Sequence, residues 1–186
     1  RSHIASSFHV SPFEEAAVLS IDGMGDFSST MRGIGRGNKI EIIDSVSYPH
    51  SIGIFYTAFT QYLGFPHYGD EYKVMGLSPY GSAKYTEKVW DVISKNDKGV
   101  FELNSKYFKH FKEGVAMSWE SGSPEIGRIF SDEFITQFGP LRAKDEKLSQ
   151  YHMDLASSVQ RVTEEIIFYM AEDLYKKTGL KNLCIT

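Results

Sequence analysis

The sequence predicts an α/β fold, with antiparallel strands first and helices later, and three observations carry that expectation. Strand-like runs at residues 16–21, 27–34 and 39–47 follow one another across turn-rich breaks. Between residues 149 and 178, Met153, Ala156, Val159, Val162, Ile166, Met170 and Leu174 recur every three or four positions, the period of one helix face. The chain then closes on Leu183-Cys184-Ile185-Thr186, an apolar strand-like run.

Taken in order, His3 opens a small-residue helix, Ile4-Ala5-Ser6-Ser7-Phe8. The first strand breaks at Asp22-Gly23-Met24-Gly25-Asp26, an acidic, glycine-flanked turn. Gly35-Arg36-Gly37-Asn38 joins the next two strands, and its Gly and Asn suit the positive φ of a hairpin turn. These three strands read as one antiparallel unit. Pro49 opens a helix over residues 50–63, with Ile52, Phe55, Tyr56, Phe59 and Leu63 on one face and Gly64 as its stop. Further helices are expected over residues 71–77, 83–94 and 124–138, with a short strand at 100–103. The stretch 96–122 mixes aromatics and lysines without a clear period and reads as largely irregular. Gly179 stops the long helix and hands the chain to the final strand.

With 186 residues the chain has room for one domain with a real core and little room for two. A hydrophobic content of 41% and a charged content of 24% are those of a soluble globular protein. No apolar run approaches the roughly 18 residues of a membrane span, so no membrane partner is expected. The net charge of −4, with scattered lysines and arginines, gives no electrostatic case for nucleic acid. Cys184 is the one cysteine, which excludes an internal disulfide and fits a reducing, cytoplasmic setting. Arg1 at the start and an apolar run at the end suggest an excerpt of a larger polypeptide.

Four constellations could carry chemistry, and each has two readings at this stage. Asp22-Gly23-Met24-Gly25 could offer backbone N–H groups to phosphate oxygens and a carboxylate to a metal, or be a plain Asp-Gly hairpin. His3, among small neighbours, has room to ligate a metal, or is incidental; His9 lies on another helical face. Gly69-Asp-Glu-Tyr-Lys-Val-Met-Gly-Leu-Ser-Pro-Tyr-Gly81 suits a polyhydroxylated or phosphorylated ligand, or is a charged helix followed by a Pro-Gly turn. Ser51, in Pro49-His50-Ser51-Ile52-Gly53, either faces a cleft with His50 or caps its own helix. Arg36 reaches a phosphate or is solvated, and Trp90 and Trp119 read as core or interface filling.

In order and spacing, four blocks resemble the NodU/CmcH-type O-carbamoyltransferases. They are Ser-Pro-Phe-Glu-Glu-Ala-Ala-Val-Leu-Ser-Ile-Asp-Gly-Met-Gly (11–25), Pro-His-Ser-Ile-Gly-Ile-Phe-Tyr-Thr-Ala-Phe-Thr-Gln-Tyr-Leu-Gly-Phe (49–65), Glu-Tyr-Lys-Val-Met-Gly-Leu-Ser-Pro-Tyr-Gly (71–81), and residues 152–165 followed by 182–186. The resemblance implies that residues 1–186 are one fragment of the N-terminal carbamoyltransferase domain, with an actin-like or sugar-kinase-like fold. It implies His3 and Asp22 as ligands of a divalent metal, iron by family likeness, within a His-x-x-x-His pattern whose first histidine precedes Arg1. It also implies Gly23, Met24 and Gly25 as a phosphate loop, and Glu71, Lys73 and Gly76 as a segment facing the nucleotide.

The activity so implied moves a carbamoyl group from carbamoyl-adenylate, made from carbamoyl phosphate and ATP, to a hydroxyl of a sugar, antibiotic or nodulation factor. Its partners would be that small acceptor, the rest of the polypeptide and, through exposed apolar surface, further copies of the chain. The fragment alone is expected to be inactive. Two other readings compete: a non-catalytic nucleotide-sensing or interaction module on an actin-like fold, and a sugar-kinase-like phosphotransferase. The transferase reading requires the acidic bend and His3 to converge on one pocket.

Overall fold

The computed structural model describes residues 1–25, 27–119 and 124–186. Asp26 of the acidic turn, and residues 120–122 at the end of the aperiodic stretch, lie outside the described residues. In chain order the elements are α1 (Ser2–Phe8), β1 (Glu15–Ile21), β2 (Ser28–Arg36), β3 (Lys39–Ser47), α2 (Ile52–Tyr62), α3 (Glu71–Leu77), α4 (Thr86–Trp90), β4 (Ile93–Lys95), β5 (Phe101–Leu103), α5 (His110–Glu113), β6 (Met117–Ser118), β7 (Glu125–Ile126), α6 (Asp132–Phe138), α7 (Gln150–Thr178) and β8 (Leu183–Ile185). The chain divides into two compact units: Arg1–Gly53 with Lys95–Glu102 and Glu165–Thr186, and Ile54–Ser94 with Leu103–Glu164.

A mixed four-stranded sheet, ordered β3-β2-β1-β8, forms the frame of the first unit. β1, β2 and β3 pair antiparallel, whereas β8 lies parallel to β1, with Val18 opposite Cys184. β1 is buried along Ala16–Leu19, as expected of a strand covered on both faces. On one face Ile4 and Phe8 of α1 pack against Ala16, Val18 and Cys184, with Met31, Ile40 and Ile42 at the margin. Burying a side chain such as Phe8 contributes roughly 1.5–3 kcal/mol. Gly37 takes the left-handed φ of the β2–β3 turn (+55°), whereas Asn38 has an ordinary negative φ, unlike the sequence expectation.

The second unit is built around aromatic rings. Phe59 and Tyr62 of α2 meet Phe134 of α6 at centroid distances of 4.7 and 5.4 Å, and Phe138 lies 4.8 Å from Phe134. Tyr62 is fully buried, and its hydroxyl donates to the Phe138 carbonyl at 2.7 Å, so its polar tip is satisfied inside the core. The Ser-Pro-Tyr-Gly turn after α3 is fastened to α7. Ser82 N–H and Lys84 Nζ both donate to the buried Asp154 carboxylate at 2.8 Å. Hydrogen bonds from Lys84, Gln150 and Ser82 hold that carboxyl down at about 2. A Cβ on Gly81 would stand 2.0 Å from the Met153 carbonyl oxygen, so this turn reaches α7 only with glycine there.

The long helix runs 29 residues, or about 44 Å at 1.5 Å per residue. Its buried stripe comprises Leu155, Ala156, Val159, Val162, Ile166, Met170 and Leu174; Met153 is only half-buried. Two expected helices are shorter than the sequence suggests. Residues 83–94 give only Thr86–Trp90 before the chain turns into β4, and within 124–138 the helix begins at Asp132, after strand β7. Trp90 is half-buried but Trp119 is exposed, so the latter is not core filling.

Among the described residues the largest fully buried side chain is that of Arg32, on β2. Its Nε and Nη2 donate to both oxygens of Asp44 at 2.8 and 2.7 Å, and Nη1 donates to Asp173 at 2.7 Å. The carbonyls of Gly99 and Lys98 accept two further bonds at 2.8 and 3.1 Å. Lys177 contacts Asp173 at 2.7 Å and balances the second carboxylate. Removing one partner from such a network strands the other charges. Arg32→Met is therefore expected to destabilise the protein by about 3 kcal/mol or more, read as a lowered urea midpoint.

His152 supplies a pH test. Burial pushes its imidazole below the ordinary 6.5, with Glu146 opposing and Arg142 reinforcing the shift. The Ser149 N–H donates to Nδ1 at 3.0 Å, so this nitrogen is an acceptor and protonating it would break the bond. A depressed folded pKa means that the contribution is complete above 6.5 and is lost as pH falls through the folded value. Stability to urea should fall between pH 7 and pH 5, and His152→Gln should flatten that slope.

Candidate functional site

The acidic bend forms where β1 leaves the sheet. Asp22 N–H still donates to the Ser29 carbonyl at 2.8 Å, continuing the β1–β2 ladder by one residue. The Asp22 side chain then bonds its own bend: Oδ1 accepts from Gly23 N–H at 2.7 Å. This leaves Oδ2 turned to α1, where it lies 3.1 Å from His3 Nδ1. Nineteen positions apart in sequence, the two side chains are brought together because α1 packs back over the sheet. Both retain solvent access, His3 at 61% and Asp22 at 33% of their side-chain surface.

A cleft of about 580 Å³ opens beside this pair. His3, Asp22, Met24 and Gly25 line it, with Ser20 and Thr30 from the sheet. Met24 and Phe27 are exposed apolar side chains on its walls. Thr30 is buried to 1% exposure, and its Oγ1 has no hydrogen-bond partner among the described residues. An unpaired buried hydroxyl is costly, and nothing in the sequence marks it.

Behind the bend stands the Pro-His-Ser-Ile-Gly segment, entered through a cis Tyr48–Pro49 peptide. Ser51, 1% exposed, donates through Oγ to the Gly23 carbonyl at 2.6 Å and lies 3.1 Å from that of Asp22. Ser29 Oγ in turn holds the His50 carbonyl. Burial pushes the His50 imidazole below its ordinary 6.5, with Glu102 acting the other way. A Cβ on Gly53 would come within 2.4 Å of Gly23 Cα and 2.8 Å of Gly23 N, so the start of α2 and the bend are in backbone contact.

Glu71, Lys73 and Gly76 sit on α3, in the second unit. Glu71 Oε1 accepts from Thr57 Oγ1 at 2.6 Å, and Lys73 Nζ pairs with Asp70 at 2.6 Å. Gly76 is exposed, with open space where a Cβ would be. Arg36 forms an ion pair with Glu15.

An imidazole and a carboxylate at a strand end thus meet beside a glycine bend at the edge of a cleft. Residues 1–186 match the family described as carbamoyltransferase N-terminus, and the chain belongs to that family. It is 38% identical over 187 residues to an uncharacterized protein of Synechocystis sp., covering all of this chain and 28% of the relative. It is 46% identical over 183 residues to an uncharacterized protein of Methanocaldococcus jannaschii, covering 97% of this chain and 32% of the relative. With nodulation protein NolO of Bradyrhizobium diazoefficiens it shares 32% identity over 184 residues, covering 98% of this chain and 29% of that protein. The chain thus spans less than a third of the length of each of these relatives.

The backbone contact at Gly53 is directly testable. Gly53→Ala forces the bend or α2 to move, and overpacking of this kind costs about 1–3 kcal/mol. Amide exchange on the peptide holding Gly23–Gly25 should quicken in this variant, beyond any change elsewhere in β1.

Proposed function

We propose that this chain is the N-terminal catalytic segment of an O-carbamoyltransferase, acting with the remainder of its polypeptide. It would transfer carbamoyl from carbamoyl-adenylate, formed from carbamoyl phosphate and ATP, to a hydroxyl of a small, sugar-like acceptor. Membership of the carbamoyltransferase N-terminus family supports the class of reaction. The observation that carries the reading is the 3.1 Å approach of His3 to Asp22 at the cleft. The sheet order β3-β2-β1-β8, antiparallel except for β8, supports an actin-like domain.

The donor chemistry of the pair fits part of a metal site. Two neighbouring ligands on a divalent ion with bonds of about 2.1 Å stand roughly 3.0–3.4 Å apart, and His3 Nδ1 and Asp22 Oδ2 are 3.1 Å apart. Among the described residues no third His, Cys, Asp or Glu joins them. Further donors would come from elsewhere in the polypeptide or from the bound phosphate. A divalent ion held there, iron by family resemblance, would neutralise charge on a phosphoryl group.

The chain's own residues have distinct parts in this reading. His3 and Asp22 hold the ion. The backbone N–H groups of Met24 and Gly25 bind phosphate oxygens and steady AMP as it leaves, whereas the Gly23 N–H, expected to share that role, is spent on the Asp22 carboxylate. Glu71, Lys73 and Gly76 bind the nucleotide. The cleft, with polar Ser20 and Thr30 and apolar Met24 and Phe27, has the mixed lining that a sugar ring recognises.

The full-length protein should carbamoylate members of a glycoside panel when given carbamoyl phosphate and ATP. Asp22→Asn keeps the size of the side chain but removes its charge, and should lower transfer by about 100-fold and weaken metal binding. Steady ATP hydrolysis without carbamoyl phosphate, and no transfer to any acceptor, would instead identify a kinase-like enzyme.

A further inference from the structure

We infer that Ser51 is a positioning residue, whose hydroxyl aims the Met24 N–H into the cleft as a donor to a phosphoryl oxygen. The inference rests on the phosphate-binding reading of the bend and adds to it the group that orients the bend. The Pro-His-Ser-Ile-Gly segment is otherwise left without a role.

The argument is one of peptide geometry. A trans peptide is planar, so its C=O and N–H point in opposite directions. Ser51 Oγ, on the buried side, holds the Gly23 carbonyl at 2.6 Å. The N–H of the same peptide belongs to Met24 and must therefore point away from Ser51, and Met24 lines the cleft. A hydroxyl carries one proton, so the 2.6 Å contact makes the Gly23 carbonyl its acceptor, and the Asp22 carbonyl at 3.1 Å is only a neighbour. The preceding N–H, that of Gly23, donates to Asp22 Oδ1 at 2.7 Å and fixes the carboxylate beside His3 without Ser51. Ser51 thus acts on the Met24 N–H and not on the metal-side carboxylate.

Two further contacts make this a built arrangement. Gly53 leaves no space between α2 and the bend, since a Cβ there would overlap Gly23. Ser29 Oγ holds the His50 carbonyl, so the residue preceding Ser51 is itself tied to β2. Rotation of the Gly23–Met24 peptide would break the Ser51 bond and turn a carbonyl oxygen towards the bound anion, where it would repel rather than bind.

The test is hydrogen–deuterium exchange on the full-length protein, read on the peptide holding Gly23–Gly25 during titration with AMP. In the wild type AMP should protect this peptide. Ser51→Ala should raise the half-saturating AMP concentration about ten-fold, the effect of losing one hydrogen bond. Ser51→Cys, nearly isosteric with a weaker donor, should fall between, and it carries the test if the alanine variant does not fold. Metal binding should stay within two-fold of wild type in both. Half-saturation unchanged in these variants, while AMP protects the wild type, would overturn the role of Ser51 and leave the phosphate reading standing. An equal loss of metal and AMP binding would also overturn it, since that marks general collapse of the bend. No AMP protection in the wild type, together with no carbamoyl transfer, would remove the underlying reading itself.

Discussion

A guanidinium with no exposure to water governs the first unit. Arg32 cannot lose its proton, so its burial is tolerable only if every donor finds an acceptor. The acceptors come from β3, from the turn around Lys98–Gly99 and from the last third of α7. These three pieces are distant in sequence, and no apolar contact would hold them in a fixed relation to β2 so strictly. Hydrophobic packing of α1 on the other face of the sheet is more forgiving, because dispersion contacts have little directionality. The ion network therefore fixes the geometry of the frame, and apolar burial supplies most of its stability.

That frame matters for the bend because both begin on the same strands. β1 and β2 remain paired up to Asp22 and Ser29, so the bend starts from a defined point. From there a chain of polar contacts, running from Ser29 to His50 and from Ser51 to Gly23, carries the order of the sheet into a loop with few apolar anchors. Exposed loops are usually among the least stable parts of a protein. This bend is braced from behind by the start of α2, and its other side opens on the cleft.

Strand and helix signals were legible where pattern and burial agree. β3 occupies residues 39–47 and α3 residues 71–77, as expected, because glycine, proline and charge punctuate both ends. The approach of His3 to Asp22 was implied by the family resemblance and not by local pattern, since a lone histidine and an Asp-Gly turn each have an ordinary reading. The helix expected over 83–94 overran, since the β-branched run Val92-Ile93 continues an apolar face in either conformation. Arg32, Ser51 and Thr30 were not readable. The partners of Arg32 lie 12 and 141 residues away, and those of Ser51 28 and 29 residues away. A side chain whose significance depends on such distant atoms leaves no local trace. Exposed positions such as Trp119 mislead in the opposite way, because size and apolarity suggest a core that is not there.

The bond between the Asp22 carboxylate and the next residue's N–H bears on which ion the proposed site would take. With Oδ1 committed to the chain, Oδ2 is the oxygen turned towards His3, so in the proposed metal site this side chain would be a one-oxygen ligand. Calcium commonly takes both oxygens of a carboxylate and six to eight ligands in all. An imidazole beside a single carboxylate oxygen suits smaller, more Lewis-acidic ions of the first transition row. In the proposed site such a preference would come partly from a main-chain amide, which no side-chain substitution removes.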